Sequence, residues 1–215
     1  MIKTSVLREK CYTCFRPKSS CMCAYINPLK TKTKFIILMH THEFKKIKNG
    51  TGHFTHLSLE NSELYVGVEF SKHKAVNALI EDENNNCYVL YPSKESLVLN
   101  ETPFPSNGKQ NVVFLIDSTW HNATKLLRDS PNVQNLPKVS FTHTKNSEFK
   151  IKEQPMELCL STIESTLCVL ELLTLNGSET LDASALDGFL EPFRKMVEYQ
   201  LQCITLENKS PRFRV

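Results

Sequence analysis

An α/β domain with a mostly parallel sheet and helices on both faces, preceded by a small four-cysteine module, is the fold this sequence predicts. Three observations carry the prediction. Short apolar runs alternate with amphipathic stretches beyond residue 33, the pattern of strands alternating with helices. One of those runs, NVVFLID at 111–117, is almost continuously apolar, as a strand buried on both faces must be. And Cys11, Cys14, Cys21 and Cys23 crowd into thirteen residues, whereas Cys87, Cys159, Cys168 and Cys203 are scattered through apolar surroundings and read as core thiols.

The elements follow in order. Residues 1–33 form the cysteine module and 34–215 the main domain. FIILMH (35–40) predicts a strand, followed by a basic, glycine-containing loop, KKIKNGTG. LYVGVEF (64–70) predicts a second strand and HKAVNALIED (73–82) a helix. After the break at Asn84-Asn85-Asn86, CYVLYP (87–92) predicts a third strand. Residues 93–109, with Pro103, Pro105 and Gly108, predict an irregular connection. NVVFLID is followed by a helical stretch, TWHNATKLLRDS, that ends at Pro131, and VSFT (139–142) reads as a further strand. Leu160, Ile163, Leu167, Leu170 and Leu173 then fall at spacings of three and four, as do Leu186, Phe189, Phe193, Val197 and Leu201. Each set predicts one amphipathic helix.

Composition bounds the function. Hydrophobic residues are 40% and charged residues 23% of the 215, ordinary for a globular chain. No stretch approaches the roughly 20 apolar residues of a membrane helix, and MIKTSVLREKCY lacks the apolar core of a signal peptide. A cytoplasmic protein with no membrane partner is expected. The net charge of +3 conceals an uneven split. Residues 1–50 carry eleven Lys/Arg against Glu9 and Glu43, residues 51–207 are acidic by nine charges, and the last eight residues add three more positive charges. A basic segment on an acidic body is a footprint for nucleic acid or an anionic surface, and equally the composition of a solvated face.

In a reducing compartment a dense cysteine cluster points to a metal rather than a disulfide framework. Cys11-x2-Cys14 with Cys21-x-Cys23 offers four thiolates, enough to close a tetrahedron around a structural zinc with no position left open for chemistry. The alternative is a set of unrelated or redox thiols.

Ligands of parallel α/β sheets sit at the carboxyl ends of strands. Three such ends carry polar residues: Tyr91-Pro92-Ser93, Asp117-Ser118-Thr119-Trp120 and, before the long apolar helix, Ser161-Thr162-Ile163-Glu164. Each also has a plain structural explanation. Asp117 or Ser118 can cap the next helix, and Ser161 with Glu164 makes a capping box. Trp120, the one Trp of the chain, stands beside a carboxylate, which suits a cationic or base-like ligand as well as a core. His40-Thr41-His42-Glu43 and the His53/His56 pair lack a matching third ligand and read as structural or surface histidines. GxGxxG and Walker A loops are absent.

These pieces, in this order, resemble the DTW-domain family of tRNA-uridine aminocarboxypropyltransferases. The resemblance spans nearly the whole chain: the four cysteines with Arg16-Pro17 among them, His40-x2-Glu43, Thr51-Gly52, Tyr91-Pro92-Ser93, Asp117-Ser118-Thr119-Trp120 with Ala123, Ser130-Pro131, Leu136-Pro137, and Ser161-Thr162-Ile163-Glu164. The chain departs from the family at Asn49-Gly50-Thr51-Gly52, where the family usually reads Asn-Thr-Gly, at Ser118, where Gly is frequent, and at Ile163, where Ala is common.

The resemblance implies a fold related to the SPOUT superfamily, with a deep trefoil knot in the C-terminal half. It implies S-adenosylmethionine as donor, a tRNA uridine as acceptor and methylthioadenosine as by-product. The expected donor-binding residues are Tyr91, Pro92, Ser93, Asp117, Ser118, Thr119, Trp120, Ser161, Thr162 and Glu164. Uridine N3 is a weak acid, so a carboxylate that takes or orients its proton would help; Asp117 is the first candidate and Glu164 the second. The backbone N–H groups opened by Ser161 would suit the donor's carboxylate, and the basic N-terminal segment would hold phosphates. Two alternatives stay open: a non-catalytic zinc-knuckle RNA-binding protein, and an S-adenosylmethionine-dependent RNA methyltransferase. Oligomeric state is open.

Overall fold

A computed structural model describes residues 9–47, 50–144, 146–151 and 159–208. Six strands form one sheet: β1 (Lys34–His40), β2 (Ser62–Gly67), β3 (Asn85–Leu90), β4 (Leu97–Val98), β5 (Gln110–Asp117) and β6 (Lys138–Ser140). Their order is β2-β1-β5-β3-β6-β4, and every pairing is parallel. All strand carboxyl ends therefore open on one edge of the sheet. β1 and β5 pair in register from Lys34 with Val112 to Met39 with Asp117. Being central, both are buried on both faces, which is why FIILM and VVFL carry no polar alternation.

Helices cover both faces. On one, Phe35 and Ile37 of β1 and Val113 and Leu115 of β5 pack with Phe54 of α2 (Gly52–Leu57), with Ile163, Leu167, Leu170 and Leu173 of α6 (Thr162–Leu175), and with Phe193, Met196 and Val197 of α8 (Glu191–Asn208). On the other, Ile36, Leu38, Val112 and Phe114 meet Val76 of α3 (Lys74–Glu81), Leu126 and Leu127 of α4 (Trp120–Asp129) and Val133 of α5 (Pro131–Gln134). A short α1 (Thr41–Lys46) follows β1, and α7 (Ala183–Gly188) precedes α8.

The strands and the helices over α3, α4 and α6 fall where the sequence places them. Four differences have physical reasons. The single helix expected from Leu186 to Leu201 is two, α7 and α8, because Pro192 supplies no N–H to continue the ladder of α7; Phe189, in the break, is fully buried, while Leu201 is 39% exposed. The connection 93–109 holds β4, an edge strand too short to leave a period. The loop after β1 coils into α1 and α2. Of the four scattered cysteines, Cys159 and Cys168 are buried, but Cys87 and Cys203 are partly exposed.

The cysteine segment is not a free appendage. Cys14 and Met22 are buried in the same apolar cluster as Phe35, Phe54 and Met196. The knot implied by the resemblance depends on the chain's path through its C-terminal half, which includes residues 152–158, outside the described residues. The basic tail 209–215 also lies outside them. Among the described residues no helix is long and apolar enough to cross a membrane.

Candidate active site

A cleft of about 330 Å³ opens at the carboxyl ends of β3, β5 and β6 against the start of α6, a volume suited to a small organic ligand. Leu90, Leu115, Ile116 and Val139 give it an apolar floor. Its rim is Tyr91 and Pro92 after β3, Ser118 and Trp120 after β5, Phe141 and His143 after β6, and Thr162 of α6.

The chain turns sharply after β5. Thr119 caps α4, its Oγ1 accepting from the Asn122 N–H (3.4 Å). This sets Trp120 at the first position of the helix, 46% exposed and edge-on to Tyr91 with ring centroids 6.0 Å apart. The Tyr91 hydroxyl lies 3.2 Å from Thr124 Oγ1 one turn further along. Two aromatic rings are thus braced on one side of the cleft. Ser118 Oγ is buried there and has no hydrogen-bond partner among the described residues, although it lines the cleft. A buried hydroxyl left so is a donor and acceptor in wait of a ligand group.

Asp117 sits behind the cleft rather than on its wall. Its carboxylate is buried, and Oδ1 accepts a 2.7 Å hydrogen bond from the Thr162 hydroxyl, which does line the cleft. On its other side stands Gly52, the first residue of α2: a Cβ there would lie 2.4 Å from Asp117 Oδ2 and 2.8 Å from Met39 Cε. No other residue type fits without displacing the carboxylate. The first turns of α2 and α6 therefore converge on Asp117, an arrangement that favours negative charge.

Glu164 is buried too but saturated. It accepts from the Ser161 N–H (2.8 Å) and hydroxyl (2.5 Å), closing the capping box, and from the Glu148 N–H (2.7 Å) and Ser147 hydroxyl (2.9 and 3.0 Å). It ties the segment after β6 to α6. Arg194 of α8 extends that tie through ion pairs to Glu148 and Asp187, both at 3.0 Å.

Of the ten residues expected at the donor site, Tyr91, Pro92, Ser118, Trp120 and Thr162 line the cleft. Asp117, Thr119, Ser161 and Glu164 stand one layer out, as caps and supports, and Ser93 is exposed, its carbonyl accepting from the Ser96 hydroxyl (2.8 Å). Phe141, His143, Cys159 and Ser165 line the cleft without having been singled out. The short strand β6 has too little periodicity to mark its end, and nothing in the sequence pairs that end with β3 and β5.

The four Sγ atoms of Cys11, Cys14, Cys21 and Cys23 lie within 4.8 Å of one another, and among the described residues no other group of three or more His, Cys, Asp or Glu is so placed. Cys11–Cys23 and Cys14–Cys21 are 3.7 and 3.8 Å apart. A tetrahedron of zinc–sulfur bonds of about 2.3 Å has edges of about 3.8 Å. The donor set and spacing fit zinc. N–H groups of Cys14 and then Thr13 draw the Cys11 thiol down to about 6, whereas burial pushes Cys14 and Cys23 up. A cation at the centre would offset the burial of Cys14 and Cys23.

His40 and His56 have local roles. His40 caps α1, its Nδ1 accepting from the His42 N–H (3.1 Å), and Glu43 is buried beneath. His56 Nδ1 is 2.8 Å from Ser62 Oγ.

A family model described as the DTW domain matches residues 8–201. A Mus musculus protein named tRNA-uridine aminocarboxypropyltransferase 2 is 28% identical over 201 residues, covering 91% of this chain and 64% of its own length. A Drosophila melanogaster protein of the same name is 30% identical over 213 residues, covering 96% and 80%. A Macaca fascicularis protein, also so named, is 26% identical over 200 residues. The chain spans 64% of the length of the mouse and macaque relatives. No solved structure matches.

Proposed function

The chain belongs to the DTW-domain family, and from that premise we propose that it transfers the 3-amino-3-carboxypropyl group of S-adenosylmethionine to N3 of a tRNA uridine. Methylthioadenosine is the by-product. The observation that carries this reading is the position of the Asp117–Trp120 signature: it bends around the mouth of the cleft and meets Thr162 there. The names of the relatives support the same activity.

The cleft suits the donor on its own chemistry. Its apolar floor fits an adenine, the orphaned Ser118 hydroxyl offers a polar anchor, and the Tyr91–Trp120 pair offers ring faces near the cationic sulfonium. When bound, the donor supplies an electrophilic carbon beside its sulfonium. The chain's residues do the rest. Thr162 and Ser165 bring the positive end of α6 to the cleft wall, suited to the donor's carboxylate. The Thr162 hydroxyl faces the reacting groups, and Asp117 behind it accepts its proton. Together they orient, and draw off, the uridine N3 proton as the N3–carbon bond forms and the carbon–sulfur bond breaks. Glu164, already saturated, holds the α6 end of the cleft in place.

Which of the three sulfonium carbons is transferred depends on which faces the acceptor. One experiment tests the reading. The protein is incubated with unmodified tRNA and S-adenosylmethionine, and nucleosides and small products are analysed by mass spectrometry. Aminocarboxypropyluridine with methylthioadenosine is the expected result. S-adenosylhomocysteine would identify a methyltransferase, and no product a binding protein.

A further inference from the structure

On the side of Asp117 away from the cleft, three rings meet. Phe15 lies between Cys14 and Arg16, Phe44 is on α1, and His53 follows Gly52 on α2. Ring centroids are 5.9 Å apart for Phe15–Phe44, 5.2 Å for Phe15–His53 and 5.6 Å for Phe44–His53. His53 is the inner member. Phe15 is 53% and Phe44 42% exposed, so two large rings are held in water against a third.

The geometry at Phe15 is not what folding alone would choose. Its φ is +59°, and it is the one non-glycine residue with positive φ among the described residues. A bulky side chain in that region is strained by roughly 1–2 kcal/mol, which glycine would avoid. The turn is nonetheless fixed, by the Cys11 N–H donating to the Arg16 carbonyl (2.8 Å) and by the cysteine cluster. Strain retained at a surface turn, with its side chain presented to solvent, points to recognition.

Charge supplies the second argument. Eleven Lys/Arg occupy the first fifty residues; of these Lys18 pairs with Glu9 at 2.7 Å, Lys34 pairs with Glu63, and Arg16 is buried, as is Glu43. Lys10, bridged to Pro17, and Lys45, next to Phe44, are exposed. Flat rings beside exposed cations are what single-stranded nucleic acid binds: bases stack and phosphates are neutralised. The position agrees. From the cleft the path runs through Thr162, Asp117 and Gly52 to His53 and the rings, all on the edge of the sheet where the strands end.

We propose that Phe15, Phe44 and His53 form a stacking platform for an unpaired base of the RNA strand that presents the acceptor uridine. The proposal rests on the reading of the cleft as a tRNA-modifying site.

The test uses the zinc-loaded full chain. Binding of unmodified tRNA and of a single-stranded oligouridylate is followed by fluorescence anisotropy for wild type, Phe15→Ala, Phe44→Ala and the double variant, and S-adenosylmethionine binding by equilibrium dialysis. Each single change weakens RNA binding by roughly 5- to 150-fold, the range for loss of one stacking ring, while donor binding and zinc content are unchanged. A double variant that binds RNA as wild type does overturns the platform. Should the double variant lose zinc or donor binding, Phe44→Trp keeps a ring in place. Its indole emission, measured against the Trp120 background of wild type, is quenched by saturating oligouridylate; no quenching overturns the proposal. The two readings fail separately. No transferase activity in wild type together with these RNA losses in the variants removes the enzymatic reading alone, and wild-type transfer with unmoved RNA affinity in the variants removes the platform alone.

Discussion

Alanine at position 52 would put a methyl carbon 2.4 Å from the Asp117 carboxylate, well inside van der Waals contact. Gly52→Ala is therefore expected to act as an Asp117 variant in disguise. It should lower transfer by about 10²-fold or more with donor affinity retained, and cost about 1–3 kcal/mol in overpacking. Single-turnover assays beside dialysis and denaturant melts check this; wild-type turnover would show that the carboxylate moves aside freely. Asp117→Ala should abolish transfer and leave the fold intact, and Thr162→Val should follow it in part, since that hydroxyl is the contact between Asp117 and the cleft. At this scale the sequence was informative wherever an apolar run stopped: Tyr91, Ser118, Trp120 and Thr162 all line the cleft. Gly52 is marked only by the family resemblance, because its burden arises from β1 and β5 pairing with Met39 beside Asp117. That register is a tertiary fact.

Elements were legible in proportion to their length and burial. β1, β5 and α6 are buried along most of their residues, so their periods are clean. Elements such as α1, α5 and β4 are too short to repeat. Pro192 marks the split of α7 from α8, but the apolar spacing runs on across it. Among the described residues between β6 and α6, Ser147, Glu148 and Ser161 are gathered by one side chain, Glu164. Glu164→Ala would orphan the Glu148 and Ser161 N–H groups, each costing about 1–3 kcal/mol if they stay buried. A lower melting temperature and faster amide exchange at those two positions are expected, with donor binding weakened as the α6 wall of the cleft loosens. A variant as stable as wild type would contradict the role. Arg194→Ala should have a milder effect, because its pairs with Glu148 and Asp187 are partly exposed.

For the molecule as a whole, the cysteine cluster is bound to the core it seemed to precede. Metal analysis should find about one zinc per chain. Stripping it with a chelator should lower the melting temperature, expose Cys14 and Met22 from the shared core, and weaken RNA binding along with the turn at Phe15. Full stability and affinity in the metal-free protein would refute a structural zinc. The affinity for tRNA should also fall steeply with salt, as phosphate contacts require. The sheet order has a last consequence, for the time course of folding. β5 lies between β1 and β3 yet follows both in the chain. During synthesis, β1 with β2 and β3 must wait as unjoined edges until residues 110–117 arrive to close the gap between them. Such non-local pairing is slow, and open edges are prone to wrong partners. The strand that carries Asp117 is thus the one whose insertion joins the two halves of the sheet, so no half-made molecule has a cleft.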